Sequence, residues 1–368
     1  MQGGVPKAIE ISHHAICDAL NGKITIDGSS VLETITTDRS DLALMPDLDS
    51  FRLFPIESSE FGNVAVLMCN LINPDGLPAV GCTRSILRKE LHAMNMLGFT
   101  KLNIGFEPEF FLLNADSTHS DSGTYAEIEN DTLAHIRREI LFELTRIGII
   151  PLTSHHERAP SAHEITYKYS DAMRTCDNLV LGMLITKAVA KRHGFHATFE
   201  PKPFEGINGN GLHTNISLKK NGKNIFAGDN GLSVTAKHFL AGILAHAKSL
   251  CYITNPTENS YKRLVKGFEA PVNICWGHYD RNAMIRIPKA TGVSTRIEIR
   301  APDSTMNPYL GAAVILRAGL DGINRKLLSP KPARCDDAKD IETLPNSLKE
   351  SLSEFTKSPL YSDLHFLI

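Results

Sequence analysis

The chain of 368 residues lacks any long run of one charge. Its 39 Lys and Arg against 41 Asp and Glu leave a formal net charge of −2. That balance excludes a basic footprint for nucleic acid and a charged binding tail. No apolar stretch is long enough to span a bilayer, since the longest, around "NLVLGMLITKAVA", is short and interrupted. The opening "MQGGVPKAIEISHH" has no apolar core of a secretory signal. Seven cysteines are scattered without a CxxC pair, which fits reduced thiols in a cytoplasm. No GxxxxGK[ST] and no helix-opening GxGxxG occurs, so neither standard phosphate loop is available. Internal repeats and low-complexity segments are also lacking. What remains is a soluble cytoplasmic protein with no membrane or nucleic-acid partner. It is long enough for one large domain or two unequal ones.

Residues 1–80 read as a small strand-bearing unit. "NVAVLMCNLI" (63–72) is a buried strand by length and β-branching, closed by the turn "NPDG" at 73–76. From residue 83 the period changes. "TRSILRKELHAMNMLG" predicts a helix capped by Thr83, with Ile86, Leu87, Leu91 and Met94 on one side and Gly98 as the stop. A boundary near residue 80 therefore divides 1–80 from 81–368. Asp131 can start a second helix, whose stripe of Leu133, Ile136, Ile140, Leu144 and Ile147 ends at Gly148. Further helices are expected at 170–193, 233–250, 307–322 and 345–357.

The strands between these helices carry unusual chemistry. In "IGFEPEFFLL" (104–113), Glu107 and Glu109 stand two apart inside an apolar run, so both face the same way. Like charges that close, out of water, stay ionised only when something positive compensates them. "GLHTNISL" (211–218) alternates Leu212, Thr214, Ile216 and Leu218 with His213, Asn215 and Ser217. "TRIEIRAP" sets Arg296, Glu298 and Arg300 opposite Ile297 and Ile299, and "MIRIP" sets Arg286 opposite Ile285 and Ile287. Any one such strand is explained by a solvated sheet face; four together weaken that explanation. "SHHERAPSAHEITY" (154–167) adds Glu157 and Glu164, which a folded-back loop can bring to one point. Hard cations prefer carboxylate oxygens and tolerate one imidazole. Glu107, Glu109, Glu157, Glu164, Glu298 and His213 suffice for two ions, Mg²⁺ or Mn²⁺. His155, His156 and His163 are read as ordinary loop or surface histidines. "NGNG" (208–211) is explained by a tight turn, and the long run 255–271 suits a lid or binding segment.

The segments "DGSS" (27–30), "GFEPEFFL" (105–112), "SHHE…HEI" (154–165), "NGNGLHTNISL" (208–218), "NPTENSYKRLVKGFEAP" (255–271), "RNAMIRIP" (281–288) and "RIEIRAPD…NPYL" (296–310) occur in this order. Together they resemble the bacterial-type glutamine synthetase family, from about residue 20 to about 325. The resemblance implies an α+β fold: a small β-grasp-like N-terminal domain, then a catalytic domain with a curved antiparallel sheet flanked by helices. It implies ATP-dependent ligation of ammonia to the γ-carboxylate of L-glutamate through a γ-glutamyl phosphate, in a homo-oligomeric ring with sites between subunits. By the same resemblance, Glu109, Glu157 and Glu164 hold the ion nearer glutamate. Glu107, His213 and Glu298 hold the ion at the ATP phosphates. Arg286, Asn215, Ser217 and Arg296 serve ATP, while Asn208, Gly209, Arg263 and Arg300 serve glutamate. Arg281 lies near the transferred phosphoryl group and Glu269 on a closing flap. Asp27, with Ser30 beside it, binds and deprotonates ammonium on the neighbouring subunit.

Two departures fall on the amine side. "VLETITT" replaces the usual glycine–aromatic step after "DGSS", and Tyr125 matches the ammonium-pocket tyrosine only if one residue is gapped. They motivate the alternative of a γ-glutamyl ligase for a small organic amine such as methylamine, ethanolamine or a polyamine, whereas retention of Asp27 favours ammonia. A non-catalytic homologue, shortened at both termini, is the remaining alternative.

Overall fold

The computed structural model describes residues 6–32, 34–54, 62–229, 231–333 and 341–367. Near the N-terminus, strands Thr25–Asp27, Asp41–Pro46 and Cys69–Ile72 form an antiparallel sheet. Leu32, Leu42, Leu71, Ala79 and Cys82 make its small core. The single strand expected at 63–72 divides in two. Ala65–Val66 pairs with Arg52–Leu53, while Cys69–Ile72 pairs with Asp41–Pro46. Between them Met68 leaves the ladder, its N–H donating to the Ser50 hydroxyl at 2.8 Å. The turn at 73–76 forms as expected, with the Gly76 N–H on the Asn73 carbonyl and φ +83 at Gly76.

Among the described residues, the larger sheet has ten strands, with Lys101–Leu113 at its centre. One side of that strand pairs with Leu212–Lys220, followed by Ile297–Ile299, Ile285–Ile287 and Trp276–His278; the other carries Ala162–Tyr167 and then Pro151–His156. Pairing is antiparallel along this path except at Trp276–His278, which runs parallel to Ile285–Ile287. The alternation expected from the sequence sends Leu212, Ile216, Leu218, Ile297 and Ile299 into the main core. Each such side chain contributes about 1.5–3 kcal/mol by burial. Helices Ala172–Arg192, Val234–Ala245 and Pro308–Asn324 share that core. The last two pack closely enough that a Cβ on Gly242 would lie 2.1 Å from the Ala318 carbonyl oxygen.

Helix ends show where local signals were outcompeted. Thr83 is the first residue of the helix Thr83–Met96, not its cap; Cys82 takes that place without a side-chain bond. Asp131 does not cap the helix Ala134–Arg146, because its carboxylate takes the Arg137 guanidinium at 2.7 and 2.5 Å. The stretch 233–250 is two helices, Val234–Ala245 and Ala247–Thr254, broken at His246, whose Nε2 meets Asp321 at 2.8 Å. Asp171 and Asn307 do cap their helices. The N-terminal unit is joined to the rest by Arg84, buried between Asp47 at 2.5 Å and Asp177. Among the described residues, Cys17, Cys69, Cys82, Cys176 and Cys251 are free thiols, whereas Cys275 is disulfide-bonded, contrary to the expectation of reduced thiols throughout. Among the described residues, no helix is long and apolar enough to cross a membrane.

Candidate active site

Strand register turns separate sequence motifs into rows. Glu109 stands opposite Glu164, and Glu164 opposite His155. Glu107 stands opposite His213. Asn215 faces Glu298, and Glu298 faces Arg286. The polar face of the sheet is therefore a lattice of acids, histidine and arginines.

A cavity of about 250 Å³ opens on this face. Glu107, Glu109, Glu157, Glu164 and His213 line one part of it; Asn208, Gly209, Arg263, Glu269, Arg281, Arg286 and Arg300 line the rest. Glu298 is fully buried at its edge, accepting from Arg286 Nη1 at 2.6 and 2.9 Å and from Arg300 Nη1 at 2.6 Å. Asn215 donates to Glu107 at 3.0 Å and accepts from Arg296 Nε at 2.8 Å. With Ser217, these two continue the same face beyond the cavity's lining. Asp27 and Ser30 are not brought to this cavity within one chain. Asp27 accepts from both Ser29 and Ser30 hydroxyls at 2.6 Å, which hold its carboxyl below the ordinary range.

The loop residues sit where backbone geometry forces them. Gly209 lies so close to the preceding chain that a Cβ there would be 2.0 Å from the Pro201 carbonyl oxygen. Arg263 reaches the cavity but directs its guanidinium to the Arg300, Ala301 and Pro302 carbonyls, bracing the end of the arginine-bearing strand. Glu269 has a left-handed backbone, φ +57, and its carboxylate meets Arg158 at 3.0 Å and Asn208 at 3.4 Å. Lys202 donates to the Ile207 carbonyl and lies 4.0 Å over the Phe268 ring, tying the 208–210 loop to the segment that carries Glu269.

The electrostatics fit hard cations. Burial, and then the charges of Glu109, Glu107, Glu157 and Glu298, drive Glu164 well above the ordinary carboxylate range. Burial likewise raises Glu109, with His213 pulling against it and Glu157 adding to it. Burial first, and Arg300 second, push His213 down to about 3, leaving a neutral imidazole able to ligate. Donor atoms of Glu107, His213 and Glu298 lie within 4.8 Å of one another, as do those of Glu109, Glu164 and His213, and those of His155, Glu157 and Glu164. Five carboxylates and a neutral imidazole so arranged suit Mg²⁺ or Mn²⁺.

Several cavity residues did not emerge from the sequence. Thr153, His155, Ala162 and Thr166 line it beside Tyr125, which the sequence did offer, so His155 is no ordinary loop histidine; its Nε2 meets Glu157 at 2.8 Å. The signal was present, because 153, 155 and 157, and 162, 164 and 166, share a period of two with the acids. His156 and His163 alternate to the opposite face and are fully buried, which corrects their reading as loop or surface residues.

Comparison with known proteins agrees with this architecture. The family model described as glutamine synthetase, catalytic domain, matches residues 80–366, and that described as glutamine synthetase, beta-Grasp domain, matches residues 3–74. Glutamine synthetase of Thermus thermophilus is 42% identical over 378 residues, covering 97% of this chain and 85% of its own. That of Staphylococcus aureus is 40% identical over 368 residues, covering 95% and 82%. A solved GmaS/ADP complex superposes with a TM-score of 0.90 at 32% identity, covering 99% of this chain and 89% of that one. A β-grasp domain followed by a catalytic domain, with relatives this similar over nearly its whole length, makes the chain a member of the glutamine synthetase family, a glutamate–ammonia ligase or a close relative of one.

Proposed function

We propose that the protein joins ammonia to the γ-carboxylate of L-glutamate at the expense of ATP, through a γ-glutamyl phosphate, releasing L-glutamine, ADP and phosphate. The observation that carries this reading is the single cavity in which clustered acids face Arg263, Arg281, Arg286 and Arg300. A carboxylate is a poor electrophile, so its oxygen must first take the γ-phosphoryl group of ATP. Transfer of that group depends mainly on positioning and charge neutralisation.

Glu109, Glu157 and Glu164 would hold one divalent ion, and Glu107, His213 and Glu298 a second. Such ions, when bound, neutralise phosphate charge and polarise the oxygens being transferred. The chain's own groups do the rest. Arg286, with Asn215, Ser217 and Arg296 along the same face, orients the nucleotide. Asn208, Gly209, Arg263 and Arg300 seat glutamate, and Arg281 meets the transferred phosphoryl group. Glu269 closes the cavity against water; the amine nitrogen bonds the acyl carbon through its lone pair, Glu269 accepts the proton that nitrogen then sheds, and phosphate leaves. Asp27 and Ser30 act from a neighbouring subunit, which accounts for their separation from the cavity. The chain works as two units, 1–80 and 81–368, in the cytoplasm.

The second reading, a γ-glutamyl ligase for an organic amine, is favoured by the likeness to GmaS and by the polar wall of Tyr125, Thr153 and Thr166. One assay separates them: with ATP, Mg²⁺ and glutamate supplied, ammonium is compared with methylamine, ethanolamine and polyamines. Faster ADP release with an organic amine overturns the first reading. No glutamate-stimulated ADP release in a folded, metal-loaded sample defeats both.

A further inference from the structure

The loop from Glu157 to Ser161 carries a proposed metal ligand, and it is held from behind the sheet by groups that never reach the cavity. Glu157 donates its backbone N–H to the Ala162 carbonyl at 2.7 Å, and its own carbonyl meets His156 Nδ1 at 2.6 Å. The other nitrogen of that ring, Nε2, meets Asp121 Oδ1 at 3.0 Å. The same Asp121 oxygen accepts the Ser161 N–H at 2.7 Å, where Ser161 has φ +63. Left-handed backbone at a serine costs about 1 kcal/mol or more and persists only where its surroundings dictate it. The side chains of Asp121 and His156 are fully buried. Both His156 nitrogens already meet oxygens of neighbouring groups, so the ring is engaged at each end. His163, edge-on to His156 at 4.8 Å between ring centroids, meets Arg137 Nη1 at 2.9 Å through Nδ1. Asp121 and His156 thus bolt the loop by hydrogen bonds, while His163 adds only a ring contact to His156; donor atoms of the three lie within 4.8 Å of one another.

We infer that His156 is a positioning residue for metal binding: anchored by Asp121, it fixes the Glu157 carbonyl and so sets where the Glu157 carboxylate meets its ion. The inference rests on the ligase reading for the identity of that ion's site. Partners one bond removed from a metal ligand commonly govern affinity by 10–100-fold.

Two substitutions separate the two ends of the ring. His156→Asn sets an amide nitrogen near the place of Nδ1 and can keep the bond to the Glu157 carbonyl. His156→Gln sets one near Nε2 and can keep only the bond to Asp121. Mn²⁺ binding is read by electron paramagnetic resonance titration of the full chain, alongside kcat at saturating Mn²⁺ and the apo melting temperature. His156→Gln is expected to weaken one of two Mn²⁺ sites by about 10–100-fold, with kcat recovering at high Mn²⁺, while His156→Asn stays within a few-fold of wild type. Equal Mn²⁺ affinity in both variants, whatever their melting temperatures, overturns the inference. So does a third bound ion that Asp121→Asn removes. Should His156→Gln fail to fold, His156→Asn carries the test alone: Mn²⁺ affinity weakened about 10-fold or more, although the bond to the Glu157 carbonyl can persist, overturns the inference. Wild-type protein that binds no Mn²⁺ defeats the ligase reading itself, a result distinct from normal wild-type binding with unaffected variants.

Discussion

Replacing Glu109 by glutamine isolates the charge from the shape. The side chain keeps its volume and an oxygen for the Gly211 N–H, which Glu109 now accepts at 2.6 Å. What is lost is one negative charge whose donor atom lies within 4.8 Å of that of Glu164. At that separation and an effective dielectric of about 20, two ionised carboxylates repel by about 3 kcal/mol. Arg263 attracts Glu109 and Glu164 is already driven toward its neutral form, so the net relief is smaller than the bare repulsion. Apo Glu109→Gln should therefore melt at or above the wild-type temperature, although a buried group has been altered. The metal response should reverse the order. An ion present at a hundred times its dissociation constant stabilises wild type by about 2.7 kcal/mol, and the variant should lose most of that increment together with turnover. Thermal scans with and without Mn²⁺, paired with an ADP-release assay, read both effects. An apo variant clearly less stable than wild type, or one that keeps the full metal increment, would refute the view that repulsion among these acids is relieved by a cation.

Two further outcomes follow from local geometry. Gly209→Ala sets a Cβ 2.0 Å from the Pro201 carbonyl oxygen, so the 208–210 loop must move; KM for glutamate should rise by roughly tenfold or more with a stability loss of about 1–3 kcal/mol, and an unchanged KM contradicts the loop's placement at the substrate. Burial alone would raise the Asp363 carboxyl, but hydrogen bonds from Arg317 and Lys89 hold it at about 2. A depressed acid contributes stability above its ordinary value near 3.8 and loses it as pH falls from there through about 2. Asp363→Asn should flatten that limb of an acid-unfolding curve while costing only about 1 kcal/mol at neutral pH, because the pair is partly open to solvent.

How much of the site could be read from the chain depends on which forces were local. Alternation is local, so the shared faces of Glu107 with Glu109, of His213 with Asn215, and of Arg286 and Glu298 against their isoleucines were legible. Register is not local. Nothing in "TRIEIRAP" says that Glu298 will stand opposite Asn215, nor in "SAHEITY" that Glu164 will stand opposite Glu109. The same limit hid the two buried histidines. His156 and His163 are held by Asp121 and Arg137, which lie 35 and 26 residues away. Helix starts failed for a related reason, since the Asp131 carboxylate was a better partner for Arg137 than for the backbone it was expected to cap.

The arginines resolve what the acid pair in "IGFEPEFFLL" first raised. Without a cation, Glu298 is neutralised from two sides by Arg286 and Arg300, and Arg286 Nε remains buried without a hydrogen-bond partner. Glu164 has no such counter-ion among the ion pairs of the described residues, and its carboxyl rises accordingly. The two halves of the cavity therefore meet the same problem differently, one by borrowed guanidinium charge and the other by a carboxyl driven toward its neutral form. On the ligase reading, Glu107, His213 and Glu298 would hold a cation in place of the Arg286 contact to Glu298, leaving that guanidinium available to nucleotide phosphate. A cation at Glu109, Glu157 and Glu164 instead displaces a proton. Metal loading should accordingly release protons at Glu109, Glu157 and Glu164 and set Arg286 free at the other end of the cavity.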